Sequence, residues 1–254
     1  MQASTRPTPR NTPPLDNRLL SGLTAAEWCR WQPYVVPVDL VPGQVLCESG
    51  CTPAFVYFPS TAIVSLLYMT QDGASAEFAV VGHDGVVGIS IFMGGNATPS
   101  RSVVQSAGRA WRVSAAVVKN EVLGAGPLLV LLLRYTQALI AQVAQTAVCN
   151  RYHSIDEQLC RRLLLGLDRS ASDELLMTQE GMAQLLGVRR EGVTAAALKL
   201  QQAGVIRYRR GRISVLDRRR LEQRSCECYA AAKRECDRLQ GTPERFSEPA
   251  RCAG

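Results

Sequence analysis

Apolar residues come in short bursts over the first half of the chain and at helical spacing over the second. Bursts at 35–40, 55–58, 62–69, 76–81 and 109–113 are punctuated by turn signals such as Pro42-Gly43 and Gln71-Asp72-Gly73. Strands recurring every eight to twelve residues or so between such turns predict an antiparallel sandwich or barrel over 35–118. Asp72-Gly73 between two apolar runs predicts a hairpin there. Ahead of the strands, Thr24 with Glu27 three residues on predicts a helix start closed by a capping box. Gly124-Ala125-Gly126-Pro127 ends the strand pattern and places proline where a first helical turn accepts it. Residues 128–150 then read as one long helix. On it Leu132, Tyr135, Leu139, Gln142, Thr146 and Cys149 follow alternating steps of three and four, a heptad seam, while Ala138, Ala141, Ala144 and Ala147 keep the flanks thin. Such a helix is either core or a dimer interface, and the motif that follows it favours the interface.

The last third carries the most specific pattern. Residues 177–203 read MTQEGMAQLLGVRREGVTAAALKLQQA. Thr178 is placed as an N-cap, Met182, Leu185 and Leu186 form one apolar face, and Gly187 stands at a sharp turn. Val193, Ala197, Leu198 and Leu200 then recur at helical spacing. Helix, glycine turn, helix is the layout of a helix-turn-helix. Its second helix opens with Arg189-Arg190-Glu191, polar residues at the end that enters a major groove. Behind it, Gly204-Val205-Ile206-Arg207-Tyr208, Arg209-Arg210-Gly211-Arg212 and Ile213-Ser214-Val215-Leu216 predict two strands joined by a basic glycine turn, a wing whose arginines would lie over phosphates.

Charge sharpens this picture. The chain of 254 residues carries a formal charge of +7. Residues 178–224 hold eleven basic and four acidic side chains, so one segment accounts for the whole surplus. Clustered Lys and Arg are the footprint of a polyanion-binding module, because they displace counterions from phosphates together. On charge alone a solvated basic face reads equally well; the motif tips the balance to double-stranded DNA.

The remaining composition mostly excludes. At 46% hydrophobic and 20% charged residues the chain can bury a sizeable core. The longest apolar block, 127–133, is broken by Arg134, so no transmembrane helix and no membrane partner are predicted. Residues 1–18 lack the apolar stretch of a signal peptide and read as a disordered leader, which points to a reducing, cytoplasmic setting with free thiols. Nine cysteines and two histidines invite a metal reading. There is no C-x₂-C pair, and Cys226 and Cys228 would point to different sides of a helix, so no metal ligands are expected. The tail beyond residue 224 starts helical over 225–239 and ends polar and mobile.

An antiparallel roll, a long helix and a winged helix-turn-helix bearing Arg190-Glu191 resemble the Crp/Fnr transcription regulators over residues 18–225. The resemblance implies an α+β chain in five parts. These are a leader (1–18), a jelly-roll-like, cyclic-nucleotide-binding-like sensor (19–125), a dimerisation helix (126–152), a winged helix-turn-helix (153–225) and a tail (226–254). It further implies a homodimer on a pseudo-palindromic operator, with RNA polymerase as a further partner. Carried over by position, Arg190 and Glu191 match base-reading residues, and arginine to guanine and glutamate to cytosine are sound pairings. Thr178 and Gln179 match phosphate contacts. Arg189, Thr194, Lys199, Arg209, Arg210 and Arg212 complete the expected DNA surface. The family's further base-reading arginine is replaced by Ala195, which with Thr194 could meet a thymine methyl.

The sensor departs from the resemblance. Cyclic-nucleotide binders of the family carry a Gly-Glu step for the ribose and a basic Arg-Ser or Arg-Thr for the phosphate. Here Gly85-Val86-Val87-Gly88-Ile89-Ser90 lacks the glutamate, while Pro99-Ser100-Arg101-Ser102 keeps the second half. Arg101 and Ser102 are therefore the candidate effector ligands, cyclic AMP is not expected, and the effector stays open. No cysteine lies within residues 1–28, which argues against an Fnr-type iron–sulfur cluster. His83 could ligate haem but reads as a turn residue. A cupin-like metalloenzyme would need several histidines on adjacent strands, and 35–118 holds one. A protein-interaction scaffold would leave the wing arginines unexplained. Neither an enzyme nor a scaffold is the favoured reading.

Overall fold

A computed structural model describes residues 16–95, 97–170 and 172–240. The chain enters through a single helical turn, α1 (Arg18–Ser21), capped by Asn17. The Asn17 carboxamide accepts from the Leu19 and Leu20 amides and donates to the carbonyls of Pro59 and Gly85, at 2.8 and 3.0 Å. Asn17 is fully buried, so the expected disordered leader does not reach residues 17 and 18; residues 1–15 lie outside the described part. Next, α2 (Ala25–Trp31) forms with the expected Thr24–Glu27 capping box.

Seven strands follow: β1 (Val36–Leu40), β2 (Val45–Cys47), β3 (Phe55–Pro59), β4 (Ile63–Met69), β5 (Ser75–Val81), β6 (Arg101–Ser106) and β7 (Gly108–Ser114). They make two antiparallel sheets, ordered β1-β7-β3 and β2-β6-β4-β5. The hairpin expected at Asp72-Gly73 joins β4 to β5. β2 and β6 have no counterpart among the expected strands. β2 is three residues long, and β6 begins within the Arg101-Ser102 stretch that resembles half a cassette. Strand pattern was expected to run to residue 118, but Ser114 caps α3 (Ala115–Leu123) and the chain turns helical there. Between the sheets Phe58, Val56, Val64 and Leu66 pack with Trp31, whose ring meets Phe58 edge-on at 6.0 Å.

The long helix, α4 (Pro127–Tyr152), starts at the expected proline. Its seam does not face a partner. Leu132, Tyr135 and Leu139 are buried in the core of the roll, Gln142 is buried beside Val80, and Cys149 is buried against the C-terminal cysteines. Each of the two leucines taken from water contributes about 1.5–3 kcal/mol, so this face is committed within the chain. The opposite face exposes Val130, Leu133, Ile140 and Val148. By length and composition α4 could cross a membrane, contrary to the expectation of no such helix; its packing against the roll accounts for much of its apolar character.

The second lobe contains α5 (Ile155–Leu167), β8 (Glu174–Leu176), α6 (Gln179–Leu186), α7 (Arg190–Gln202), β9 (Ile206–Arg209), β10 (Arg212–Val215) and α8 (Arg218–Arg224). The wing gains a third strand that the sequence did not reveal: the sheet runs β8-β10-β9. Last comes α9 (Glu227–Gln240), lying along α4. It starts two residues later than expected, because Ser225 and Cys226 form a non-helical step after α8. Residues 241–254, expected to be mobile, are outside the described part.

The two lobes share one interior. Ile63 and Val80 of the roll belong to the same apolar cluster as Leu163, Met182 and Leu200. Among the described residues, two buried ion pairs cross between the lobes. Arg162 on α5 meets Glu77 on β5, and Arg169 engages Asp84 through two contacts, 2.7 and 3.1 Å. A Cβ at Gly82 would stand 2.7 Å from the Arg169 side chain, so the backbone can come this close only as glycine.

Candidate nucleic-acid interface

Thr178 caps α6 by accepting from the Gly181 amide at 3.0 Å. The helix ends at Gly187 with φ 65°, a left-handed cap that glycine adopts without strain. There is little room for more: a Cβ would come to 3.3 Å from Ala76 of β5. Three residues on α7 begins, with Arg189 at its N-cap. Val193, Ala196, Ala197 and Leu200 point inward. Leu198, expected on that buried face, is instead half-exposed.

The outward face of α7 carries Arg190, Glu191, Thr194 and Ala195, with Leu198 one turn on. Geometry thus brings Arg189, Arg190, Glu191 and Thr194 together as expected. The Thr194 hydroxyl lies 3.0 Å from both the Gln179 side-chain oxygen and the Arg190 carbonyl, which joins the two helices of the motif. The Gln179 amide donates to the Tyr208 hydroxyl at 3.2 Å, tying α6 to the wing. Lys199 sits apart from this group, pairing with Asp156 of α5 at 2.8 Å.

In the wing, Arg210 and Gly211 link β9 to β10 with φ of 50° and 75°. Positive φ at both loop residues matches the twist of a tight hairpin, and the Gly211 carbonyl accepts from the Met177 amide at 2.8 Å, which seats the turn against the start of α6. Arg209, Arg210 and Arg212 are exposed around it. Arg212 has one exposed partner, Glu174 at 3.6 Å, a contact worth little in water.

The candidate effector residues separate. Ser102 lines a cavity of about 380 Å³ between the sheets, but the Arg101 guanidinium pairs outside it with Glu48 at 3.0 Å. The cavity is walled by Leu46, Phe55, Tyr57, Leu66, Phe78 and Ile89 and reaches Leu139 of α4. Among its described lining residues there is no Arg, Lys, Asp or Glu. His83 is half-buried in its turn, and burial lowers its basicity.

One constellation escapes the sequence. Cys149, His153, Cys226 and Cys228 converge, against the expectation of no metal ligands. Cys226 precedes α9 rather than lying in it, so it and Cys228 reach the same point. The hydrogen bond with Cys149 pulls the Cys226 thiol below the usual thiol range, while burial pushes Cys228 above it. Cys149 and Cys226 lie 77 residues apart, too far for spacing to signal.

Residues 157–224 match the family model of the Crp-like helix-turn-helix domain. No curated protein matches the chain. Solved structures do. One from Eubacterium rectale, described as a transcriptional regulator of the Crp/Fnr family, is 19% identical with a TM-score of 0.60 and covers 81% of this chain and 96% of that one. FixK2 from Bradyrhizobium japonicum is 15% identical with a TM-score of 0.62, covering 76% and 98%. The c-di-GMP-responsive regulator CLP of Xanthomonas campestris is 14% identical with a TM-score of 0.59, covering 76% and 99%.

Proposed function

We propose that this chain, a DNA-binding transcription regulator of the Crp/Fnr type by its helix-turn-helix domain and its fold, grips a pseudo-palindromic operator as a homodimer in the cytoplasm. The observation that carries the reading is the exposed face of α7, with Arg190, Glu191, Thr194 and Ala195, tied through Gln179 to Tyr208 of the wing that bears Arg209, Arg210 and Arg212. Arg190 and Glu191 read base edges from the first turn of α7. Arg189, Thr178, Gln179 and the wing arginines hold phosphates. Ala195 and Leu198 offer apolar contact to thymine methyls. Lys199 is committed first to Asp156, and its role on DNA is the weaker one. RNA polymerase is the further protein partner, and the activity is regulatory, as it is for the similar solved proteins, rather than catalytic.

Selection of bound duplexes from a random pool tests operator and symmetry together. On the selected operator, Arg190→Ala should cost about 1–3 kcal/mol and relax one base pair per half-site. Arg210→Ala should weaken all duplexes alike and reduce the salt slope by roughly one unit for each phosphate left without its cation. Both residues carry a Cβ, so the strained φ at 210 is unchanged by that swap. Salt titrations of both variants on operator and scrambled duplex check this. A uniform loss for Arg190→Ala with a sequence-selective loss for Arg210→Ala would reverse the two roles.

For the effector we infer an apolar small molecule in the cavity of the roll. Its volume is in the range of ligand pockets, and its walls offer an anionic nucleotide no counter-charge. Contact with Leu139 gives an occupant a direct hold on α4. Cyclic AMP should neither bind tightly nor be needed for operator binding. Titration calorimetry giving micromolar or better affinity would refute this.

A further inference from the structure

Three sulfurs and one imidazole nitrogen, from Cys149, His153, Cys226 and Cys228, lie within 4.8 Å of one another. We propose that these four residues form a closed, tetrahedral zinc site that fastens α9 and the α8–α9 junction to the end of α4. The edges have the right length. Zinc–sulfur bonds of about 2.3 Å and zinc–nitrogen bonds of about 2.0–2.1 Å set tetrahedral edges near 3.8 Å between sulfurs and near 3.6 Å between sulfur and nitrogen. Cys149 and Cys226 sulfurs stand 3.5 Å apart, and the Cys228 sulfur is 3.6 Å from His153 Nδ1. A four-iron cube does not fit inside a shell whose ligand atoms are all this close, so the group suits one ion.

Local structure presents each ligand. Cys149 and His153 are four residues apart at the end of α4, where one helical turn puts them on the same side. Cys226 and Cys228 flank the first residue of α9, Glu227. The other imidazole nitrogen, His153 Nε2, faces the Glu227 carboxylate at 3.3 Å. A carboxylate behind a ligating histidine fixes the tautomer that leaves Nδ1 free to bind metal. All three cysteines are buried, which favours a structural ion over a catalytic one with an open position. Three thiolates and a neutral imidazole on Zn²⁺ leave a net charge of −1, and the thiol protons still held are released on binding. The buried Arg161 guanidinium, in electrostatic contact with Cys149 and Cys228, offsets that charge. Because His153 is the residue between α4 and Ser154, the cap of α5, the ion would fix the joint between the long helix and the DNA-binding lobe.

The test is metal analysis of the full chain purified without added metal. Close to one zinc per chain is expected in the wild type and in Cys29→Ser, with at least a tenfold loss in Cys228→Ser and in His153→Ala. Replacement by Co²⁺ should give the visible absorption of a tetrahedral thiolate site, a signal that does not depend on whether the variants fold. Chelation should lower the melting temperature of the wild type and leave that of Cys228→Ser unmoved. Metal-free wild-type protein, iron in place of zinc, a Cys149–Cys226 disulfide, or zinc retained by Cys228→Ser would each overturn the proposal. None of these readouts involves DNA, so they stand apart from the operator reading.

Discussion

In the homodimer proposed above, Ile140→Asp should leave monomers, while Leu139→Asp, one residue away, should unfold the roll. The two side chains lie on different faces of α4: Ile140 is 60% exposed and Leu139 is 5% exposed in the core. Val130, Leu133, Gln137, Ile140, Ala144, Ala147 and Arg151 are all exposed and follow steps of three and four. That is the stripe a second copy of α4 would cover, about a two-fold axis that sets like residues against each other. An aspartate at 140 would bring two like charges into an apolar seam. At a cost of roughly 3 kcal/mol or more, dimerisation weakens by at least about a hundredfold. Light scattering at micromolar concentration, with circular dichroism to show that the fold persists, checks the outcome. A persistent Ile140→Asp dimer would remove this face from the interface.

The same helix shows what the sequence could and could not reveal. Both of its stripes obey heptad spacing, one through Leu132, Tyr135 and Leu139 and one through Leu133, Gln137 and Ile140. Periodicity finds a stripe but does not say what covers it; here the roll and α9 claim the first. Local signals read well because their physics is local. Thr24 with Glu27, Asp72-Gly73, Pro127 and Gly187 each fix backbone within a few residues, and each element formed where expected. The helix-turn-helix was legible because a glycine turn, two amphipathic faces and a charge surplus agree within one segment. Contacts across the chain were not. Arg162 and Arg169 carry no local mark of burial, since Glu77 and Asp84 stand 85 residues away from them. The strand β8 is too short to show a period, and it exists because β10 offers it an edge. The two halves of the cysteine–histidine cluster meet only because α9 folds back along α4.

Those buried arginines set the last expectation: Glu77→Gln should be among the most damaging single substitutions outside the apolar core. Glu77 is 7% exposed and Arg162 is 4% exposed, and the guanidinium meets both the carboxylate and the Gln105 side-chain oxygen. A guanidinium stays charged at any working pH, so losing the carboxylate charge leaves a cation buried with only neutral acceptors. Breaking one side of such a pair costs about 3–5 kcal/mol, because the survivor keeps its desolvation penalty without its partner. Arg162 belongs to α5 and Glu77 to β5, so the loss falls on the joint between the DNA-binding lobe and the roll. Unfolding in urea should begin at a lower midpoint and can separate into two steps as the lobes uncouple. The double variant Glu77→Leu with Arg162→Met, which removes both charges and keeps apolar volume, should recover most of the stability. Equal losses in the single and double variants would mean that packing at this joint, rather than the buried charge, holds the lobes together.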